Sequence, residues 1–316
     1  MRLPLPDAPA ANPWLRRLAW INLAAEILIV LTGGLVRLSG SGLGCPDWPE
    51  CVSGSLVPVA HQAQSWHKYV EFGNRLMINV VSIAAVALLL AIWRWAKHRK
   101  GLRLPVALIL LGILIQAVVG GISVHMDLNP VIVATHFLSS MLLVFASAWL
   151  VWREHEGDGP PQPVVRVEVQ WLSWAAAALT AVVLVLGTVV TGAGPHSGDA
   201  THPARLSFDP RTAAWLHADS VMLFCGLVVA MLIATRLVAR TSRPSIAWLW
   251  VLVVTILQGI IGYTQYFLGV PGGLVEVHML GASLLVVVVT WGVLSLRERQ
   301  SVPDTVAKEP LASQVR

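Results

Sequence analysis

Charged side chains are scarce in this sequence. Lys, Arg, Asp and Glu make up 12% of its 316 residues, whereas ordinary soluble domains contain about 25%. Hydrophobic residues make up 56%, and the mean hydropathy is +0.69. Such a composition excludes a cytosolic enzyme and a disordered chain, and three cysteines are too few for a secreted module held by many disulfides. The sequence therefore indicates a polytopic membrane protein.

Long apolar runs give this protein its predicted architecture. A helix needs about 20 residues to cross a bilayer core of about 30 Å. Eight runs reach that length: 17–38, 72–95, 104–125, 131–152, 170–193, 213–235, 246–268 and 274–296. The first run lacks a small-residue cleavage signature, so we expect it to remain as the first span.

Lys and Arg are distributed unevenly between the two sets of connecting segments. One set contains only Arg37, Lys68, Arg75, Arg205 and Arg211, and the other set contains all the remaining Lys and Arg residues. Because positive charge favours the cytoplasmic side, both termini are predicted to be cytoplasmic, in a bacterial-type plasma membrane. The net charge of +5 then reflects topology, and it gives no reason to expect a nucleic-acid partner.

The two halves of the chain repeat. Three residues of the first half recur 142 positions later: Gln116, Gly120 and His136 match Gln258, Gly262 and His278. In the first half Gly34 and Asn74 come before this set, and in the second half Gly187 and His217 occupy the corresponding places. Four spans return the chain to its starting side, so the repeat predicts an all-α membrane protein of two pseudo-symmetric four-helix bundles.

This repeat sets the predicted domain boundaries. We expect an N-terminal bundle at 1–153 and a C-terminal bundle at 170–296. A polar, Pro-rich cytoplasmic linker is expected at 154–169, and a polar cytoplasmic tail at 297–316.

Three histidines lie one to two turns from the same end of equivalent spans. A buried histidine can serve only to stabilise helix packing through a hydrogen bond, but ionisable groups within a membrane are often functional. His217 and His278 lie on separate helices of one bundle, which suits two axial ligands of a haem iron. Zinc is a weaker interpretation because no third ligand falls at suitable spacing on those helices. His136 occupies the equivalent layer of the first half.

The start of the second span carries a different set of polar residues. His67, Glu71 and Asn74 fall on one face if this segment is helical. Glu71 is either a first-turn residue favoured by the helix dipole or a functional carboxylate that faces the layer of His136. Glu26, in the middle of the first span, is expected to face another helix or a water pocket.

Several motifs resemble the haem A synthase family. They are the GGLVR segment at 33–37, the loop SGSGLGCPDWPEC at 39–51, the EFGNR segment at 71–75, the segment 116–121 and the histidines at the helix starts. The resemblance covers all eight spans, and the loop with two cysteines is its most specific part.

The resemblance implies a haem site in each bundle and an oxidoreductase activity. In this family the C8 methyl group of haem O, the substrate, is oxidised to a formyl group by successive hydroxylations, which gives haem A. The resemblance assigns haem B to His217 and His278, the substrate haem to the site of His136, and the catalytic role to Glu71. Haem O synthase would share this substrate and is the protein partner that the resemblance suggests.

The chain departs from the family pattern at Asn74, where many members have histidine. Because an amide is a poor iron ligand, either His67 replaces the missing ligand or His136 ligates alone and leaves the sixth position open. We favour the second hypothesis. Arg37 and Arg75 lie at the membrane boundary, where they either bind haem propionates or extend to the interface.

Cys45 and Cys51 are predicted to form a disulfide that holds the outer loop over the first bundle. A redox-active pair is the alternative. Two other functions remain open at this stage: a dihaem b-type electron-transfer protein, which would need two matched histidine pairs, and a transporter built from two repeats, which would need polar residues near the midplane.

Overall fold

The computed structural model describes residues 2–8, 10, 12–199 and 202–299, so residues 300–316 of the predicted tail lie outside the described part. Within that part the chain forms eight long helices. They are α1 (Pro13–Leu38), α2 (His67–Trp95), α3 (Arg103–His125), α4 (Pro130–His155), α5 (Val167–Ala193), α6 (Pro210–Val238), α7 (Arg243–Phe267) and α8 (Gly272–Leu294). All eight are long and apolar enough to cross a membrane, and the protein is a multi-pass membrane protein.

Polar residues start several of these helices before the apolar run begins. Asn129 accepts a hydrogen bond from the backbone N–H of Val131 at 3.0 Å, and Asp209 accepts one from Thr212 at 2.8 Å. A proline follows directly in both helices, where its missing N–H costs nothing. Capping of this kind extends a helix beyond the hydrophobic pattern that predicts it.

The helices pack as two four-helix bundles. In the first bundle α1 contacts α2 and α4, and α3 contacts the same two helices. In the second bundle α6 contacts α5 and α7, and α8 contacts the same two helices. The bundles meet where α8 packs against α1 and α4, and where α4 packs against α5. The predicted all-α fold of two related bundles is confirmed.

The last helix joins the two hydrophobic cores. Val286, Val287 and Trp291 belong to the core of the first bundle, whereas Leu285 and Val288 belong to that of the second. The indole Nε1 of Trp291 donates to the carbonyl oxygen of Ala148 at 3.0 Å. Since α8 contributes to both cores, the two bundles form one continuous packed body.

The two ends of this body differ in chemistry. We call the end with loop 39–66 the disulfide end and the end with residues 96–102 and 156–166 the terminal end. At the terminal end Arg16 and Glu154 form an ion pair of 2.6 Å, and Arg153 pairs with Glu156. Two short strands, β1 (Gln162–Pro163) and β2 (Arg297–Glu298), pair there in antiparallel fashion, which ties the connecting segment to the chain after α8.

Candidate functional site

A cavity of about 530 Å³ lies within the two bundles towards the disulfide end. Its lining includes His136 of the first bundle and both His217 and His278 of the second. Glu71 and Asn74 also line it. The structure thus brings most of the predicted site residues to a single cavity, although the sequence places them on four different helices.

His217 and His278 face each other across the second bundle. Their ring centroids are 6.5 Å apart, and the ring planes are inclined by 75°. His217 Nδ1 lies 3.0 Å from the carbonyl oxygen of Val183. Because that oxygen can only accept, Nδ1 carries the proton, and Nε2 keeps a lone pair for a metal.

This pair fits a porphyrin iron held between two imidazoles. An imidazole nitrogen binds a metal at about 2.0–2.1 Å and lies roughly 1 Å from its ring centre, so two opposed ligands of one metal have centroids about 6 Å apart. The described residues contain no group of three or more His, Cys, Asp and Glu side chains placed to hold a metal ion. The histidine pair therefore suits a metal that arrives with its remaining ligands already in place, as haem iron does.

Glycines leave space beside each histidine ring. A Cβ atom at Gly187 would lie 3.3 Å from Cε1 of His217, and one at Gly262 would lie 3.4 Å from Cε1 of His278. Gly120 has the same relation to His136, at 3.4 Å. Larger residues at these glycines would press on the rings, so glycine at each position leaves room for the imidazole.

The first bundle repeats this arrangement with one change. Gln116 donates to the carbonyl oxygen of His136 at 3.0 Å, as Gln258 donates to that of His278 at 3.0 Å. At the position equivalent to His217 the first bundle has Asn74, which lines the same cavity as His136. The first site therefore contains one imidazole where the second contains two.

Asn74 is already engaged within the first bundle. Its side-chain oxygen accepts a hydrogen bond from the hydroxyl of Thr32 at 2.7 Å. A Cβ atom at Gly33 would lie 3.9 Å from its amide nitrogen, whereas one at Gly34 would meet Glu276 and Met279 of α8. The structural counterpart of Gly187 is therefore Gly33, and the sequence match of Gly34 to Gly187 is wrong by one position.

His67 does not reach the cavity. Its Nδ1 lies 2.8 Å from the hydroxyl of Ser41, its ring stacks on that of Trp66 with centroids 3.9 Å apart, and it is absent from the cavity lining. The structure therefore separates His67 from His136, although both fall near the same end of the bundle.

Glu71 and Arg75 hold the outer loop against the first bundle. Glu71 is 5% exposed; its Oε2 accepts the backbone N–H of Cys45 at 2.7 Å, and its Oε1 pairs with Arg75 at 2.6 Å. Arg75 also donates to the carbonyl oxygens of Cys45, Asp47 and Glu50 at 2.7–2.9 Å. A buried, charge-assisted network of this kind fixes the loop geometry.

The structure contains the predicted disulfide between Cys45 and Cys51, and both residues are fully buried. Cys225 is unpaired and half-buried in α6. The disulfide closes the loop that Arg75 and Glu71 hold, so loop closure and the carboxylate belong to one network.

Trp48, between the two cysteines, is a site residue that the sequence analysis does not single out. Its ring lies against Gly121, where a Cβ atom would be 2.5 Å from Cδ2, and it lines the cavity. Its carbonyl oxygen lies 3.2 Å from Nε2 of His125. The sequence signal that could have identified it is its position: Trp48 is the one aromatic residue between the two cysteines of the disulfide. Such a residue is a candidate for covering the cavity.

Arg37 connects the two halves at the disulfide end. It donates to the carbonyl oxygens of His196 at 2.6 Å and Thr191 at 2.9 Å. His196 Nε2 in turn lies 2.9 Å from the carbonyl oxygen of Val270. Arg37 therefore uses two of its five N–H donors on backbone of the second half, and the residue also lines the cavity.

Fold and site together define a class: a multi-pass membrane protein of two related bundles that share a histidine-lined cavity. The chain belongs to the COX15-CtaA family of cytochrome oxidase assembly proteins, whose sequence model matches residues 16–205.

Curated relatives of this family carry the name "Heme A synthase". The chain is 37% identical to the protein of Lysinibacillus sphaericus over 142 residues, which cover 43% of this chain and 44% of that protein. It is 28% identical to the protein of Shewanella oneidensis over 194 residues, or 57% and 55% of the two chains. Both matches span about half the length of the relative. The match to the Bacillus cereus protein is 23% identical over 295 residues and covers 88% and 93%.

Proposed function

We propose that this protein is a haem A synthase, an oxidoreductase of haem A biosynthesis that takes haem O as its substrate. The observation that carries the proposal is the unequal pair of sites in one cavity: two opposed histidines in the second bundle, and in the first bundle one histidine and a buried carboxylate that both line the cavity. The relatives that match the chain carry the same activity in their names.

In this proposal the second bundle, within residues 170–296, holds haem B through His217 and His278. Haem B would supply one-electron redox chemistry there. The bond of His217 Nδ1 to the carbonyl oxygen of Val183 orients that ligand, as outer-shell contacts of metal-binding histidines do. Gly187 and Gly262 keep the ring faces clear.

The first bundle, within residues 1–153, receives haem O in this proposal. His136 ligates its iron alone, because Asn74 is a poor ligand and His67 is bound to Ser41 outside the cavity. An open sixth position suits oxidative chemistry at the porphyrin. Trp48 covers this part of the cavity and limits access of water.

Glu71 is the proposed catalytic carboxylate. Each of the two hydroxylations of the C8 methyl carbon takes its oxygen from water and removes two electrons and two protons. The electrons would leave one at a time through haem B to an acceptor outside the protein, and the doubly hydroxylated carbon then loses water to give the formyl group. Glu71 lines the cavity and can accept such a proton at one carboxylate oxygen, while Arg75 stabilises its charge. Arg75 binds backbone carbonyl groups of the loop, and Arg37 binds those of the second half. We therefore assign Arg75 to holding the loop and Arg37 to joining the two bundles, in preference to binding haem propionates.

We further propose that both termini face the cytoplasm, with the linker at 154–169 and the tail at 297–316 on that side. The disulfide end then lies outside, where a Cys45–Cys51 bridge persists. Haem O synthase is proposed as a partner, because haem O is apolar and passes most directly between two membrane proteins.

The test is chromatography with mass detection of haems extracted from the purified protein, expressed with and without a haem O synthase. We expect haem A or hydroxylated haem O only with the synthase, and loss of at least about 100-fold in product for Glu71→Ala, the usual range for a general acid or base. The control is His61→Ala in the exposed part of the loop.

Haem B alone in both cultures, in a folded protein, would contradict the proposal. It would favour the alternative, a dihaem b-type electron-transfer protein. That alternative requires a second complete pair of histidine ligands, and in the first bundle Asn74 stands where one of those histidines would be needed.

A further inference from the structure

Glu26 is a buried carboxyl group for which the described residues provide no partner. It is 2% exposed and lines the cavity, yet within the described residues it has neither a hydrogen bond nor an ion pair, and its Oε1 is buried and unsatisfied. Glu71 and Glu154, by contrast, pair with Arg75 and Arg16. Burial of an unpaired carboxyl group in a membrane span is costly, so this residue needs a ligand or a role.

The surroundings of Glu26 connect it to the cavity and not to the terminal end. One turn towards the terminal end, Asn22 donates to the hydroxyl of Ser147 at 2.9 Å. Beyond Ser147 on α4, Leu150 and Val151 are fully buried apolar residues. On α4 they separate the Asn22–Ser147 pair from the ion pairs at the terminal end, whereas the cavity reaches Glu26 directly.

Glu26 lies deeper in the membrane than the ligand layer. On α1 it precedes Gly33, which faces Asn74, by seven residues. This separation corresponds to about 10 Å along a helix axis. The cavity walls near it are apolar and include Ile29, Val30 and Val81.

The chemistry of haem O matches this arrangement. Haem O carries a long isoprenoid side chain with a hydroxyl group on the porphyrin edge opposite the two propionates, and haem B has neither the hydroxyl nor the tail. With the propionates towards the disulfide end, where polar groups and water lie, the hydroxyl-bearing edge points into the membrane towards Glu26. The apolar walls there suit the isoprenoid tail.

We propose that the Glu26 carboxyl group hydrogen-bonds the hydroxyl of this side chain and thereby makes the first site select haem O over haem B. The proposal rests on the proposed function, because that function supplies the substrate. A site built to bond a hydroxyl rejects an analogue that lacks it, since its buried polar group is then left unpaired. The apolar walls would accept the isoprenoid tail of other compounds equally well, so recognition of the tail alone does not give the selectivity that a bond to the hydroxyl gives.

The test titrates the full-length protein, with haem B retained at His217 and His278, with haem O and separately with additional haem B. Absorbance gives the affinity of the first site for each haem. For Glu26→Leu we expect haem O to bind at least about tenfold more weakly, while haem B binds at least as tightly as in the wild type, because no buried carboxyl group is then left unpaired. Glu26→Gln keeps a donor and an acceptor, so we expect it to retain most of the preference.

The haem B content of the second site and the melting temperature report folding of each variant. If Glu26→Leu does not fold, Glu26→Met, which is closer in length and also apolar, replaces it. An unchanged affinity for haem O in the apolar variant, or an equal loss for both haems, would overturn the inference while the proposed function stands. A wild-type protein that neither binds nor oxidises haem O would instead remove the proposed function, and this inference with it.

Discussion

At the scale of single residues, the two sites differ most at one pair of equivalent positions. His217 faces Gly187 in the second bundle, and Asn74 faces Gly33 in the first. Each is fixed by a further hydrogen bond, to the carbonyl oxygen of Val183 or from the hydroxyl of Thr32. In the proposed function the His217 imidazole gives the second site two iron ligands, while the Asn74 amide leaves His136 as the one ligand of the first. One side chain thus separates a site suited to a resident haem from one suited to a reacting haem.

This difference predicts the spectrum of haem O bound to the first site. We expect the wild type and His67→Ala to share a five-coordinate, high-spin spectrum, because the His67 imidazole is bound to Ser41 outside the cavity. Asn74→His should add a second axial ligand and give a six-coordinate, low-spin spectrum. Electron paramagnetic resonance of the ferric protein measures both. A low-spin wild type that becomes high-spin in His67→Ala would show instead that His67 is the missing ligand.

At the scale of helices, small residues on α5 and α7 create the space beside the histidines. Gly187→Leu would drive a side chain into the ring of His217, where even a Cβ atom lies 3.3 Å from Cε1. We expect haem B content below about a tenth of the wild-type value, because overpacking displaces the ligand or the porphyrin. Gly226→Leu on α6 is the matched control, since a Cβ atom there meets nothing within 4 Å. Equal haem content in both variants, measured as pyridine haemochrome, would contradict this reading of Gly187.

The helices show how far the sequence predicts the fold. Apolar runs predict all eight spans because crossing a bilayer demands them, but they place the start of α2 at 72 and the structure places it at His67. The first turn is polar, so hydrophobicity does not detect it. The sequence shows the repeat of Gln116 as Gln258, and the structure adds that each glutamine donates to a histidine carbonyl oxygen.

Contacts between segments far apart in the chain could not be predicted from the sequence. Arg37 binds the carbonyl oxygens of Thr191 and His196, more than 150 positions away, and backbone groups leave no signature in a pattern of side chains. Trp48 reaches the cavity only because Arg75 and Glu71 fold its loop back over α3. The family resemblance identifies the loop as a motif, but the hydrogen bonds of the loop explain where the Trp48 indole lies.

At the scale of the whole molecule, the two ends carry opposite signals for topology. At the terminal end Arg236 lies in the last turn of α6, Arg240 lies between α6 and α7, and Arg243 begins α7. The opposite end carries the disulfide and most of the cavity-lining polar residues. Positive charge favours the cytoplasm, and a disulfide favours the outside. Both signals orient the protein in the same sense, although they arise from unrelated physical causes.

This orientation predicts which face of the membrane is closer to the cavity and the proposed haem sites, and it can be tested with single cysteines in a Cys225→Ala background. Val57 is 54% exposed in the loop at the disulfide end, and Ser242 is exposed at the terminal end. A maleimide that cannot cross membranes should label Val57→Cys in intact cells and Ser242→Cys only after the membrane is opened. Cys45 and Cys51 do not react while they are bonded to each other. The reverse labelling would place the cavity near the cytoplasm, and the proposed haem chemistry would then have to draw its water and release its protons there.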